Sequence, residues 1–403
     1  MSISSSLQTA FSGLTASSRA ADVASSNIAN AMTEGYGVRR LEIGARVTGG
    51  DGSGAQVLGV LRDSDPTLTA QRRGAEARQE GTAREAAAAQ RLENLIGTPD
   101  DPGSLAARLA EFEARLVTAA SAPHSQVRLG AAVDAADALA ATFRDISDGI
   151  QDERLRADAE IARAVTTANH SLSGIAELNE RIRAVPPGSG DRAALVDTQE
   201  KLLDRIAPLI PVQTRRDSAG ALQVYSNGGE MLVGRTAAVL EFQPVPAIEA
   251  TMLRGASILS GLRIDGRDVP VAGDATPLAG GKIDALFTVR DEWGPEAQEN
   301  LDAVARDLAE RFDRTGIDPT VAPTQAGLFT DSGARTDPAA ELGLAARLEV
   351  NAAVRPEDGG AVWRLRDGLG AATEGPKGDA SLLAAQIDSL AARRVTASGA
   401  FSA

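Results

Sequence analysis

Apolar positions recur along the chain at two periods, and the helical one dominates. Between Ser6 and Asn30, Leu7, Leu14, Ala21 and Ile28 fall at seven-residue steps. Ala10, Ser17 and Ala24 follow three residues after each of the first three. This is a seam of a and d positions, narrow and built from small residues, of the kind that packs against one partner helix. The other faces carry Ser, Gln, Thr, Arg and Asn, which offer little to a globular core. Gly13 and the many Ser also lower helix propensity. The pattern predicts a helix ordered by association; an amphipathic helix docked on its own domain is the alternative.

Thr33-Glu-Gly-Tyr-Gly37 ends that helix with two closely spaced glycines. Val38 to Val60 reads as extended segments, broken by a turn or flexible loop at Gly49-Gly-Asp-Gly-Ser-Gly54. Pro66 opens a second helical region, polar and Ala-rich from Thr67 to about Ile96. After the break at Gly97-Thr-Pro-Asp-Asp-Pro-Gly103, Ser104 is placed to cap a helix with Leu105, Leu109, Phe112 and Leu116 on one face. No proline occurs from Ser125 to Val185. Phe143, Ile146 and Ile150 begin a stripe that continues through Ile161, Val165, Ala168, Leu172, Ile175, Asn179 and Ile182 at steps of four and three. A single helix here would be about 90 Å long.

Beyond Pro186-Pro-Gly-Ser-Gly190, Asp191 is a candidate cap for a helix carrying Leu195, Leu202 and Ile206, closed by Pro208. From Pro211 the period changes to that of strands. Ala221 to Ser226, Asn227-Gly-Gly, and Glu230 to Val233 read as a hairpin. Further strand-like pieces run to about Pro277. Helical spacing returns at Ile283, Leu286 and Phe287, then at Leu301, Val304, Leu308 and Phe312 after Pro295. The stretch from Asp318 to Asp337 is rich in loops, and Leu382, Leu383, Ile387 and Leu390 mark a last amphipathic segment. The expected fold is mainly α and multidomain: a long helical bundle or coiled-coil domain with a small inserted β domain and an N-terminal heptad helix. The corresponding division is 1–66 for the N-terminal helix and extended connector, 67–210 for the first part of the helical domain, 211–279 for the β-rich insertion, and 280–403 for its second part.

Composition supports this picture and removes several functions. At 403 residues the chain can bury a sizeable core, and only 3% of it is aromatic while Ala runs abound. The formal charge of -14 argues against a nucleic-acid binder held by phosphate contacts and against a binder of anionic membranes. With no cysteine, disulfides, Cys-bound zinc, iron–sulfur ligation and thiol catalysis are excluded. No stretch approaches the roughly 18 consecutive apolar residues of a membrane span. Met1-Ser-Ile-Ser-Ser-Ser lacks the basic and apolar regions of a cleaved signal peptide, so the expectation is a cytoplasmic protein or one exported by another route.

No catalytic, cofactor or metal constellation stands out. His124 and His170 are 46 positions apart, not at metal-pair spacing, and read as surface histidines. Gly50-Asp-Gly-Ser-Gly54 has Asp51 where a serine-hydrolase elbow needs its first Gly, lacks the strand–turn–helix context with a partnering His, fails the dinucleotide spacing, and reads as a loop. Gly280-Gly-Lys282 lacks the upstream Gly and the Ser or Thr of a phosphate loop. Asp145, Asp148 and Asp152 stand beside Arg144 and Arg154 as a solvated face, and Asp331 lacks calcium-loop spacing. An enzyme is not expected.

Three pieces together resemble the N-terminal signature of the bacterial flagellar rod, hook and hook-associated proteins. They are Ala10-Phe-Ser-Gly-Leu-Thr-Ala16, Ser25-Ser-Asn-Ile-Ala-Asn30 and Thr33-Glu-Gly-Tyr36. Two further pieces resemble the hook-associated members: Leu195-Val-Asp-Thr-Gln-Glu-Lys-Leu-Leu-Asp-Arg-Ile-Ala followed by a hairpin, and Gly280-Gly-Lys-Ile-Asp-Ala-Leu-Phe-Thr-Val-Arg-Asp followed by Leu301 to Phe312. A rod protein would have strands where the long helices from Pro66 to Val185 lie. The family ends in a second heptad helix that pairs with the first, and none follows Leu390. Either the chain is truncated or the partner seam comes from another molecule.

The resemblance implies a structural adaptor joining hook to filament, extracellular on the flagellum and exported without a cleaved signal. Implied partners are the hook protein, a second junction protein, further copies in a ring, and the export chaperone and apparatus, with neither nucleic acid nor membrane. Absence of Cys suits a chain that crosses a narrow channel unfolded. Leu7, Phe11, Leu14, Ala21 and Ile28 are then the expected packing residues. Asn27, Asn30 and Tyr36 would fix the helix end and its turn. The competing reading is a secreted adhesin or effector that binds a ligand through the β insertion.

Overall fold

A computed structural model of the chain describes residues 3–33, 35–48, 51–253, 259–271, 276–313 and 317–393. Glu34, Gly49, Gly50 and the stretch from Val395 to Ala403 lie outside them. The fold is mainly α with small antiparallel sheets. Helix α1 (Ile3–Ala29) is followed by the hairpin β1 (Arg39–Thr48) and β2 (Asp51–Arg62). Then come α2 (Pro66–Ile96), α3 (Leu105–Ser121), α4 (Gln126–Ala184) and α5 (Gly190–Ile206). Strands β3 (Val212–Arg216), β4 (Leu222–Ser226) and β5 (Met231–Val233) form one sheet. Strands β6 (Leu240–Glu241), β7 (Leu262–Ile264) and β8 (Arg267–Val269) form another. Helix α6 (Lys282–Thr288) leads through a π-helical turn, Val289–Trp293, into α7 (Gly294–Asp313). The remainder includes β9 (Phe329–Asp331), α8 (Leu344–Arg347), β10 (Leu348–Val350), α9 (Arg364–Asp367) and α10 (Ser381–Ala391), with β9 paired to β10 and single 3-10 turns between them.

The chain forms two compact units, each from three stretches. The first contains residues 1–84, 160–243 and 261–286, and the second residues 85–159, 244–260 and 287–403. Helices α2 and α4 contribute residues to both. In the first unit every member of the stripe from Ile161 to Ile182 is buried, Asn179 included. The polar member has a task. Asn179 donates Nδ2–H to the Leu222 carbonyl (2.8 Å) and its Oδ1 accepts the Leu222 N–H (2.7 Å), clamping β4 to the helix. Asn169 does the same to Leu240 of β6, at 2.7 and 2.9 Å. Each side-chain amide thus replaces a missing strand neighbour and satisfies both backbone groups of one residue.

The second unit is built on apolar packing. Phe112 of α3, Phe312 of α7 and Phe329 of β9 meet with centroids 5.3 to 5.9 Å apart, joined by Leu116, Phe143, Ile146 and Leu308. Ser104 caps α3, its hydroxyl accepting the Ala107 N–H at 3.2 Å.

Four local expectations need correcting. Ser189, not Asp191, caps α5: its hydroxyl accepts the Arg192 N–H, and Asp191 instead complements the dipole within the first turn. The buried face of α5 is Ala193, Asp197, Gln199, Leu203 and Ile206, while Leu195 and Leu202 are only half-buried. Strand β2 resumes at Asp51, so the glycine-rich break is shorter than the pattern implied. Asp145, Asp148 and Asp152 are exposed, but Arg154 is fully buried and donates to the Arg290 carbonyl at 2.9 Å. Burial pushes the Arg154 guanidinium down to about 10.

Candidate functional site

Helix α1 turns its heptad seam outward. Leu7, Phe11, Leu14 and Ile28 are 67 to 78% exposed, and Ala10, Ser17, Ala21 and Ala24 are exposed too. Exposure of large apolar side chains is concentrated here and in the hairpin: Ile3, Met32, Val38, Val47 and Leu58 add to it. A contiguous apolar stripe left in water is the usual mark of an interaction face.

The opposite side of α1 rests on the hairpin, and small groups make the contact. Ala16 is the buried apolar residue of this helix. The Ser12 hydroxyl accepts the Ala55 N–H at 3.1 Å. Gly54 makes that approach possible, since a Cβ there would fall 2.1 Å from Ser12 Oγ, and its φ of +114° suits glycine. The faces expected to offer little to a globular core therefore hold the helix through hydrogen bonds and close backbone approach.

At the end of α1 the three residues singled out from the sequence come together. Asn27 Nδ2 donates to the Arg39 carbonyl (2.8 Å), and Asn27 Oδ1 accepts both the Arg39 N–H and the Tyr36 hydroxyl (3.0 Å each). Asn30 Nδ2 donates to the Ser26 carbonyl (2.9 Å), closing the last turn, and its Oδ1 accepts from Thr33 (3.4 Å). Gly35, at φ +71°, turns the chain back, and the Arg39 guanidinium lies over the Tyr36 ring, 4.9 Å from its centroid. Asn27 clamps Arg39 as Asn169 and Asn179 clamp their strands.

One participant escaped the sequence reading. Asp197, 7% exposed on α5, accepts from the Gly37 N–H (3.1 Å), from Arg39 Nη2 (3.2 Å) and from Arg62 Nε (2.9 Å). A carboxylate four residues after the buried Ala193, on the same face of α5, was the available signal. Gly37 is needed for room, because a Cβ would sit 2.0 Å from Arg62 Nε. Nearby, the Val60 N–H reaches the Gly188 carbonyl at 2.9 Å, where the two backbones cross at Gly59 and Gly188.

His124 and His170 are exposed. Among the described residues no group of three or more His, Asp or Glu side chains is placed to hold a metal ion, and no helix is long and apolar enough to cross a membrane.

These features accord with comparisons to known proteins. The family model described as the flagellar hook-associated protein FlgK helical domain matches residues 89–318, more than half of the chain. The chain belongs to the FlgK family. A second model, the flagella basal body rod protein, matches residues 7–36, the stretch from the first seam leucine to the corner tyrosine. Flagellar hook-associated protein 1 of Escherichia coli K12 is 25% identical over 319 residues, covering 77% of this chain and 56% of the relative. Its Salmonella typhimurium counterpart is 28% identical over 254 residues, 61% of this chain and 45% of the relative. That of Bacillus subtilis is 24% identical over 377 residues, 85% and 73%. The chain thus spans about half the length of the first two relatives. In fold, the flagellar hook junction protein FlgK from Burkholderia pseudomallei is similar, with a TM-score of 0.53 at 20% identity, covering 66% of this chain and 47% of that one.

Proposed function

We propose that this FlgK-family chain is a structural subunit at the junction between flagellar hook and filament, assembling through the exposed seam of α1. The observation that carries the reading is the division of labour on that helix. Ser12, Ala16 and Asn27 hold it to the hairpin, while Leu7, Phe11, Leu14, Ala21 and Ile28 stay in water. A helix fixed in place with its apolar seam bare is prepared for helices of neighbouring subunits. The hook protein, a second junction protein and further copies of this chain in a ring are the partners of this reading. It places the subunit outside the cell, delivered by the flagellar export apparatus and its chaperone. The role is structural, and no catalytic step is assigned. The N-terminal helix with its connector is taken as the polymerisation segment of the four-part division.

The test is electron microscopy of cells lacking the gene, with and without a complementing copy. Bare hooks, flagellin lost to the medium and filaments restored on complementation are expected. A complementing copy carrying Leu14→Asp should restore none, because a carboxylate on the seam would have to be buried without a partner. Normal filaments in the deletion strain would reject the junction role; normal filaments with the variant would reject the seam.

A further inference from the structure

Arg39 is held from two directions. Its backbone N–H and carbonyl are taken by Asn27 of α1, and its guanidinium by Asp197 of α5. The same carboxylate binds the Gly37 N–H just before β1 and Arg62 at the end of β2. Three donors from the connector therefore converge on one buried acceptor of the helical body. Apolar burial supplies little orientation here, since α1 buries Ala16 as its apolar contact. Charge-assisted hydrogen bonds are directional and supply it instead.

We propose that the Arg39–Asp197 pair sets the direction in which α1 leaves α5, making Asp197 a positioning residue for assembly. This rests on α1 being the assembly helix. Without the carboxylate, the Arg39 and Arg62 side chains, 17 and 21% exposed, would face each other with no shared counter-charge. Arg39 would keep its backbone bonds to Asn27, so the corner would survive while its link to α5 loosened. Arg39 thus joins Asp197 of α5 to Asn27 of α1 directly, beside the bonds that Gly37 and Arg62 make to the same carboxylate.

Because the chain contains no cysteine, spin labels at Ser18→Cys and Ala194→Cys, both exposed positions, report the distance between α1 and α5 without other changes. One narrow distance distribution is expected in the parent chain. Asp197→Asn and Arg39→Gln should each lose that narrow peak with helical content unchanged by circular dichroism, and each should fail to restore filaments in the deletion strain. Arg39→Gln leaves the Asp197–Arg62 pair intact and decides the matter if Asp197→Asn unfolds. A narrow peak retained in Arg39→Gln overturns the proposal, and so does a broadened peak with normal filaments. If Leu14→Asp also builds normal filaments, it is the assembly reading that falls, and the distance measurement still tests the positioning of α1.

Discussion

Helices α1 and α3 belong to the same chain and are held by different forces. Helix α3 buries Phe112, Leu116 and Ala119, with Phe112 against the rings of Phe312 and Phe329. Helix α1, ten residues longer, buries only Ala16 and leaves its large apolar side chains exposed. Burying one such side chain contributes about 1.5–3 kcal/mol, so α1 leaves unrealised the driving force that α3 has already used. Hydrogen bonds aimed at the backbone of the hairpin take over the task of holding it. A helix held this way can keep its apolar seam for another molecule.

The largest effect on folding should come from the region held by burial. Phe112→Ala would leave a cavity among fully buried rings and lower the stability of the second unit by about 3–5 kcal/mol, read from denaturant midpoints. Leu14→Asp should leave the isolated chain's stability within about 0.5 kcal/mol of the parent, as expected for an exposed position. A costly Leu14→Asp in the isolated chain would erase the contrast.

Asn27→Ala probes the force that replaces burial. It removes both amide bonds to Arg39 and the acceptor for the Tyr36 hydroxyl. The expected cost is about 1–3 kcal/mol, confined to the corner. Hydrogen exchange at the Arg39 amide should accelerate while amides near Phe112 keep their protection. Spread of the effect into the second unit would contradict a local joint.

The difference between the two forces also decides what a sequence reader can see. The seam of α1, the stripe along α4 and the cap at Ser104 are local periodicities, and they stand where the spacing put them. The meeting of Asn27, Asn30 and Tyr36 spans ten residues and is legible as a helix end followed by a turn. Asp197 meets Gly37 across 160 positions, and no local pattern carries that. Asn179 shows the middle case: its place in an apolar stripe was plain, but Leu222, its partner, was not. Arg154 looked solvated because of its acidic neighbours, yet its partners lie in distant loops. Strands β9 and β10 are three residues each, too short for a period-2 signal to rise above the surrounding turns.

The smallest effect is a difference in acid response between the two units. Asp302, 1% exposed in the second unit, has its carboxyl pushed upward by burial, against acceptance from the Ala345, Gly343 and Gln298 N–H groups. The folded state then holds the proton more tightly than the unfolded one. Its contribution is complete below the ordinary value of 3.8 and is lost as pH rises through the raised folded value. Asp217 in the first unit is shifted the other way: the Ala221 and Ala219 N–H groups, with Arg183, hold its carboxyl below 3.8. What it contributes is present above 3.8 and is lost as pH falls through the lowered value. Asp302→Asn keeps an oxygen acceptor but removes the charge. It should therefore flatten the decline in second-unit stability as pH rises from 3.8, leaving the acid loss of the first unit unchanged. Urea midpoints for the two units across that range measure both slopes. An unaltered second-unit slope in the variant would mean that the protonation of Asp302 is not what couples its burial to pH.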